Sequence, residues 1–267
     1  MIVQHNIASM NANRQLGIVG NNLSKATEKL SSGYRINRAA DDAAGLSISE
    51  KMRGQIRGLN RASDNAQDGI SLIQTAEGAM DQQHAILQRA RELAVQAAND
   101  TNVTEDRNAI SEELTQLKQE FDRIKDQTEF NTQKLLDGSF KDKNFQVGAN
   151  NGQNIAVSIS TTTMTDISDE VTTYADATAA IETINGNITA LSTSRSKLGA
   201  IQNRLEYTVK NDDNAAENIQ NAESRIRDVD MADEMTRFSK ESILQQAATS
   251  MLAQANQQNQ GVLSLLQ

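Results

Sequence analysis

The chain has 267 residues with no proline, cysteine or tryptophan, which excludes a disulfide framework and thiol chemistry and leaves nothing to break a long helix. The net charge of −9 is uneven, because residues 1–61 carry nine Lys or Arg against four Asp or Glu. These basic residues lie among apolar ones without aromatic partners, and no apolar run reaches the ~20 residues of a membrane span, so we expect neither nucleic-acid binding nor membrane insertion.

The first predicted helix runs from residue 2 to about residue 31. Its apolar residues form one narrow stripe at helical spacing: Leu16, Val19, Leu23, Ala26 and Leu30. The opening residues lack the basic start and apolar core of a secretory signal peptide. The following stretch, SSGYRINRAADDAAG, predicts an irregular joint that ends at Gly45.

A second, longer helix is predicted over about 47–98. An apolar residue returns at every seventh position, as in a coiled coil: Met52, Leu59, Ala66, Ile73, Met80, Leu87 and Ala94. After a polar turn at 99–104, Thr104 is the predicted N-cap of a third helix. The third helix carries a matching stripe of Ile110, Leu114, Leu117, Phe121 and Ile124. The short connection predicts that the second and third helices are antiparallel.

The apolar period changes beyond Phe130. Alternation at Phe145 and Val147, and again at Ile155, Val157 and Ile159, predicts a β-hairpin near 140–160. Asn151-Gly152 is its predicted turn. The next stretch, STTTMTDISDE, is polar and is expected to be exposed.

A second seven-residue ladder predicts a fourth helix from about Thr173 to beyond Ile226. Its members are Ala177, Ile184, Leu191, Leu198 and Leu205, then a slip at Asp212, then Ile219 and Ile226. A fifth helix is predicted from about Met231 to the end of the chain. The predicted fold is therefore mainly α, an elongated rod of long antiparallel helices with one β-hairpin.

The two ends of the chain share an unusual composition. No side chain is charged in the first thirteen residues, and none is ionisable from Ser242 to Gln267. An exposed helix face normally carries Lys and Glu, so a neutral amide face suits surroundings in which both sides of the helix meet protein. Many copies joined head to tail would provide this in a helical filament. The alternatives are that the ends only pair within one molecule, or that they lie on a membrane surface.

No pattern in the sequence indicates an enzyme. The two histidines, His5 and His84, have no partner at metal-ligand spacing, and no phosphate-cradling loop or nucleophile motif is present. His84 fits a partly buried structural role within the first ladder. Asp41-Asp42 fits an acidic joint opposite Arg35 and Arg38 better than a metal site. We therefore expect no catalytic residue, no metal and no cofactor.

Five long segments of the sequence stand out: IVQHNIASMNANRQL, LSSGYRINRAADDAAGLSISEKMRGQIRGLNRASDNAQDGISLIQTAEGAM, LQRARELAVQAAND, QTEFNTQKLLDG and MLAQANQQNQGVLSLLQ. These segments resemble those of bacterial flagellins. The resemblance implies an inner filament-core domain of the paired terminal helices, residues 1–44 plus 229–267. It also implies an outer helical domain, residues 45–228, that holds the hairpin. Only about 30 residues, 160–190, are left for the variable outer domains of longer flagellins, which indicates a minimal form.

The same resemblance implies a function, partners and site residues. The chain is expected to polymerise into the extracellular flagellar filament for motility, and to leave the cell through type III export without a cleaved signal peptide. Expected partners are further copies of the chain, an export chaperone, the flagellar cap and hook-junction proteins, and Toll-like receptor 5 of a host. Arg89, Leu93 and Glu120 match residues that meet this receptor and neighbouring subunits. Filament-core and chaperone contacts are expected at Leu16, Leu23, Leu30, Leu244, Met251, Leu252, Val262, Leu263, Leu265 and Leu266.

Two rival functions stay open on the sequence. A hook–filament junction protein shares the terminal motifs, although the match through LQRARELAVQ argues against it. A lipid-surface-binding amphipathic protein would bind anionic vesicles and form no filaments.

Overall fold

The computed structural model describes residues 6–164 and 171–264, with side chains up to Gln257. Five helices dominate: α1 (Ile7–Ser32), α2 (Ala43–Ala97), α3 (Thr104–Gln127), α4 (Tyr174–Arg227) and α5 (Met231–Ser264). Four short strands are β1 (Glu129–Phe130), β2 (Gln133–Lys134), β3 (Lys143–Gln146) and β4 (Asn154–Val157). The predicted mainly α fold class is confirmed.

The chain divides into two compact units. Unit 1 comprises residues up to Gly54 and from Asn218 onward, and unit 2 comprises Gln55–Glu217. Both divisions fall inside long helices, α2 and α4, rather than at helix ends. The assignment of 1–44 plus 229–267 to a filament core and 45–228 to an outer domain stays a prediction.

Local hydrogen bonds explain where the helices begin and end. Thr173 and Asp176 form a reciprocal capping box at the start of α4, each side chain accepting from the other residue's backbone N–H at 3.2 Å. Gly33 ends α1 with φ +75° and donates its N–H to Lys29 O at 2.9 Å. The predicted N-cap of α3 was wrong by one residue. Val103 holds that position, and Asp106 accepts its N–H at 3.3 Å.

The two ladders meet in the core of unit 2. Ladder residues from Ala66 to Ala94 and from Ala177 to Leu205 are buried, with Met80, Leu87 and Ile184 fully so. Arg195 on α4 pairs with Asp81 on α2 at 3.1 Å, and Ser63 donates to Asp213 at 3.1 Å. Rising numbers on α4 thus meet falling numbers on α2, so the two helices are antiparallel.

Helix α3 lies antiparallel to α2 on the other side of the short turn, as predicted. Arg107 donates to Ala97 O at 3.2 Å near the turn, and Gln83 donates to Phe121 O at 3.3 Å farther along. Ile110, Leu114 and Phe121 of the predicted stripe are buried against the same core.

The predicted hairpin is present as β3 paired antiparallel with β4, with Phe145 opposite Ile155. Gln153 donates its N–H to Asn150 O at 3.4 Å, which places Asn151-Gly152 at the centre of the turn, with Gly152 at φ +83°. The loop docks closely on α2. A Cβ added at Gly58 would lie 2.7 Å from Ala149 Cβ, so only glycine allows this approach.

A second, smaller hairpin was not predicted from the sequence, and the stretch predicted to be exposed is exposed only in part. Strands β1 and β2 flank Asn131 and Thr132, whose φ angles are +48° and +62°. Within the stretch expected to be exposed, Thr162 and Met164 are buried, because Thr162 N–H donates to Leu136 O and draws the segment onto the core. Residues 165–170 of that stretch lie outside the described residues.

In unit 1, the predicted joint contacts the end of α4. Arg35 N–H donates to Arg227 O at 2.7 Å, Val229 N–H donates to Gly33 O at 3.0 Å, and the guanidinium of Arg227 lies 4.7 Å from the ring centre of Tyr34. Among the described residues, no side-chain ion pair joins Asp41 or Asp42 to Arg35 or Arg38, and the guanidinium of Arg38 pairs with Glu28 at 2.9 Å. The two aspartate carboxylates accept backbone N–H groups, Asp41 from Asn37 and Arg38, and Asp42 from Gly45.

Candidate functional site

The terminal helices α1 and α5 pack against each other in unit 1. Asn6 caps α1 by accepting from Ser9 N–H at 3.0 Å and also donates to Ala255 O at 2.9 Å. Ser9 Oγ donates to Asn256 Oδ1 at 2.7 Å. Neutral amide and hydroxyl groups therefore make the described hydrogen bonds between the two helices, which explains how their uncharged terminal segments are held in register.

This pairing leaves much apolar surface uncovered. Met251 is 62% exposed and Leu244 41% exposed, while Leu16, Leu23, Leu30 and Leu252 are half-buried. The only buried residue of α1 is Ala26. The side chains of Val262 and Leu263, and all of Leu265 and Leu266, lie outside the described residues.

Several other apolar residues of the terminal helices are exposed and were not predicted as contact residues. They are Ile7, Met10, Ile18, Met231, Met235 and Ile243, the last 66% exposed. These residues lie off the stripes used for the prediction, so periodicity alone could not find them. For Ile7 and Met10 the available signal was the absence of charged side chains in the first thirteen residues, whereas the other four have charged neighbours in the sequence. Together with Leu244 and Met251 they form what we call the terminal apolar surface.

The second candidate surface surrounds Arg89 on α2 of unit 2. Arg89 reaches across to α3, where its guanidinium meets Glu113 Oε1 at 2.9 Å, and it also meets Glu92 at 3.2 Å on its own helix. These carboxylates raise the pKa of Arg89 further above its usual range. The group is half-exposed, so it stays charged and accessible.

The other two residues chosen with Arg89 lie in different surroundings. Leu93 is only 2% exposed and belongs to the core between the helices. Glu120 pairs with Arg123 on α3, with contacts of 2.6 and 2.8 Å that lower the pKa of its carboxyl. The structure thus brings Arg89 to Glu113 rather than to Glu120, and places Leu93 beneath the surface.

The described residues hold neither a group of side chains placed to bind a metal ion nor a helix fit to cross a membrane. Over 6–164 and 171–264, no group of three or more His, Cys, Asp or Glu side chains is placed to hold a metal ion. His84 is half-buried, with Nε2 3.3 Å from Gln88 Nε2, and His5 lies outside the described residues. No described helix combines the length and apolar character that crossing a bilayer requires.

Comparison with known proteins gives a consistent result. The family model for the bacterial flagellin N-terminal helical region matches residues 3–141, and the one for the C-terminal helical region matches residues 181–266. The chain is 58% identical to a flagellin of Halalkalibacterium halodurans, with all of both chains covered. It is 49% identical to the flagellar filament 33 kDa core protein of Treponema phagedenis, again over all of both chains.

A solved structure supports the fold alone. A protein of Vibrio parahaemolyticus, titled as a flagellar hook-associated protein, superposes with a TM-score of 0.61 at 12% identity. The match covers 70% of this chain and all of that one.

Proposed function

The chain belongs to the bacterial flagellin family, whose members are structural proteins of the extracellular flagellar filament, and on that premise we propose that it polymerises into this filament and so serves motility. The observation that carries the proposal is the terminal apolar surface. Helices α1 and α5 pair with each other and still expose Met10, Ile243 and Met251. Neighbouring copies of the chain would remove this surface from water, at roughly 25 cal/mol for each Å² buried.

The lack of charged side chains at the two ends of the chain, residues 1–13 and 242–267, supports the same proposal. Each lysine or glutamate at a packed interface between copies would need a partner or would cost several kcal/mol. Amide side chains such as those of Asn6 and Asn256 can be satisfied by backbone carbonyls and by hydroxyl groups, as they are within one copy. Repetition of one contact without closure yields a helical filament.

We further propose that Toll-like receptor 5 of a host recognises the free subunit at the Arg89 surface. Arg89 and Glu120 offer exposed charges on neighbouring helices, and both carry partners that fix their orientation. Leu93 is proposed to act from beneath, because its burial holds α2 against the core and so positions Arg89. In the filament the same surface would meet neighbouring subunits.

The remaining partners follow from the family and the exposed C-terminal helix. We propose that an export chaperone covers α5 before type III export without a cleaved signal peptide, with Leu244, Met251 and Leu252 among its contacts and the predicted Val262, Leu263, Leu265 and Leu266 beyond them. The flagellar cap and the hook-junction proteins would meet the chain during assembly. The rival functions, a junction protein or a lipid-surface protein, differ from this proposal in forming no long filaments.

Electron microscopy of purified protein in precipitating salt tests the main proposal. We expect long helical filaments from the natural chain and none from Met251→Asp, because the new carboxylate would be buried between copies. Val103→Asp is the matched control, since Val103 is similarly exposed at 58% but lies in unit 2 at the start of α3. Circular dichroism would establish that both variants remain helical.

Three results would count against the proposal. They are filaments from Met251→Asp, the absence of filaments from the natural chain, and binding of the natural chain to anionic vesicles in their place. The last would favour the lipid-surface function.

A further inference from the structure

The dipeptide Asn-Gly occurs twice in the chain, at Asn151-Gly152 and at Asn185-Gly186. The two copies lie in different backbone surroundings. Asn151-Gly152 is the exposed centre of the loop between β3 and β4, whereas Asn185-Gly186 lies well inside α4. Both copies belong to unit 2, so the reactivity of the same dipeptide can be compared in a turn and in a helix of one unit.

Asn-Gly is the sequence in which an asparagine side chain is most open to attack by the next backbone nitrogen. The Gly152 nitrogen loses a proton and attacks Asn151 Cγ, the side-chain nitrogen leaves as ammonia, and a five-membered succinimide forms. Water then opens either carbonyl and leaves aspartate or isoaspartate. The sum is the side-chain amide plus water giving a carboxylate plus ammonium, with no oxidant or cofactor.

The turn leaves the Gly152 nitrogen available for this reaction. Within the described part of the chain, the Gly152 N–H makes no hydrogen bond, and a Cβ built at Gly152 would find no atom within 4 Å. The neighbouring loop groups are engaged with each other: Gln153 N–H donates to Asn150 O at 3.4 Å and Asn150 N–H donates to Gln153 Oε1 at 2.8 Å. They hold the turn in shape without covering its centre.

Helix α4 prevents the same reaction at Asn185. Beyond the first turn of α4 the backbone N–H groups are used in the i→i−4 hydrogen-bond series, so the Gly186 nitrogen is occupied. Asn185 O also accepts from Thr189 Oγ1 at 2.8 Å. Space is not the difference, since a Cβ at Gly186 would also meet nothing within 4 Å. Attack here requires α4 to open locally first, which costs free energy.

We propose that Asn151 is a site of spontaneous deamidation through a succinimide, and that Asn185 is protected from it by α4. The reaction adds one negative charge to the loop that docks on α2 at Gly58. The isoaspartate product also lengthens the backbone within the turn, so the hydrogen bonds between Asn150 and Gln153 no longer fit. The loop would thus change with the age of the protein.

The experiment is incubation of the full chain at neutral to mildly alkaline pH, followed by digestion and tandem mass spectrometry that separates Asn150 from Asn151. We expect the mass gain of amide-to-acid conversion at Asn151 to appear at least about tenfold faster than at Asn185, because reaction at Asn185 waits for helix opening. In strong denaturant the two sites should react at similar rates. Asn151→Gln is the control, since glutamine would need a slower six-membered ring.

Labelling with an isoaspartyl O-methyltransferase, which modifies only isoaspartate, should occur in the aged natural chain and be greatly reduced in Asn151→Gln. Equal rates at Asn151 and Asn185 in the folded protein would overturn the proposal. So would an Asn151 that stays intact in the folded protein over a period in which the denatured chain is converted.

Discussion

Ser49 Oγ of α2 donates a hydrogen bond 2.8 Å long to Glu223 Oε1 of α4, and the serine is fully buried. This contact joins two residues of unit 1 that are far apart in the sequence. Along α4, Glu223 lies between Ile219 and Ile226, two half-buried residues of the second ladder. Arg53 lies 3.9 Å from the same carboxylate oxygen. The glutamate thus has a buried polar partner and a nearby cation.

Replacement of Ser49 by alanine should destabilise unit 1 because Glu223 loses its donor while remaining largely buried. Hydrogen bonds to charged groups predict a loss of about 1–3 kcal/mol in the free energy of unfolding, measured by urea denaturation. Ser71→Ala is the matched control, because Ser71 Oγ bonds Gln67 O on an exposed helix face. That change should stay within about 0.5 kcal/mol. Equal effects of the two substitutions would contradict the role of Ser49.

The buried carboxylate of Asp212 is expected to make the free energy of unfolding lower at neutral pH than at acidic pH. It holds a buried ladder position, and its Oδ2 has no hydrogen-bond partner among the described residues. Burial raises the pKa of Asp212, and the charge of Asp213 raises it further. As the pH falls from neutral towards the unfolded value of about 3.9, the folded state takes up a proton before the unfolded chain does, so this group's contribution to stability increases.

Asp212→Asn should therefore raise the free energy of unfolding at neutral pH by about 1 kcal/mol, and its advantage should shrink as the pH falls. Asp41 is the control of opposite sign. Hydrogen bonds from the backbone N–H groups of Arg38 and Asn37 lower the pKa of Asp41, so its contribution is present at neutral pH and is lost as the pH falls through the folded value. Asp41→Asn should destabilise at neutral pH and lose that effect in acid. Urea denaturation across pH would show the two trends, and parallel curves would contradict them.

Thr132 occupies a strained position in the turn between β1 and β2. Its φ of +62° is costly for a β-branched side chain, whereas glycine adopts it freely. Thr132→Gly should raise the free energy of unfolding by up to about 1 kcal/mol. Gly152→Ala, at φ +83° in the other hairpin, should lower it by a similar amount. Thermal denaturation of both variants tests the pair, and a shift of the same sign in both would refute the assignment of strain.

Substitutions at Leu93 and Arg89 are expected to differ in their effects on protein stability and on receptor binding. Leu93→Ala opens a cavity within the core of unit 2 and should lower the free energy of unfolding by about 2–5 kcal/mol. Arg89→Ala removes an exposed ion pair and should cost no more than about 1 kcal/mol. Binding to the receptor ectodomain should nevertheless weaken in Arg89→Ala while its circular dichroism stays unchanged. Leu93→Asp should weaken receptor binding and polymerisation together, since a buried carboxylate displaces α2.

Two results would contradict this division. Receptor binding of Arg89→Ala at the natural strength would remove Arg89 from the recognition surface. Normal folding and normal filaments from Leu93→Asp would show that Leu93 supports neither the core nor assembly.

The seven-residue periods were enough to predict the long helices and most of their buried faces. Ladder residues such as Met80 and Leu198 are buried because a repeat close to the helical period keeps them on one side of the helix for its whole length. The turn at Asn151-Gly152 was predictable because glycine tolerates the positive φ that the turn needs. The two-residue turn at Asn131-Thr132 was not, because a β-branched residue rarely adopts that φ.

By itself, the sequence determined the helices, the uncharged ends and the resemblance that led to the family, because periodicity, composition and long motifs are local properties of the chain. Only the tertiary structure decided that Leu93 is buried and that Arg89 pairs with Glu113. It also decided that Asp212 occupies a buried ladder position and that the side chains of Thr162 and Met164 are buried. Each of these properties depends on which segment, distant in the sequence, packs against the residue. The polarity of the side chain alone does not specify that segment.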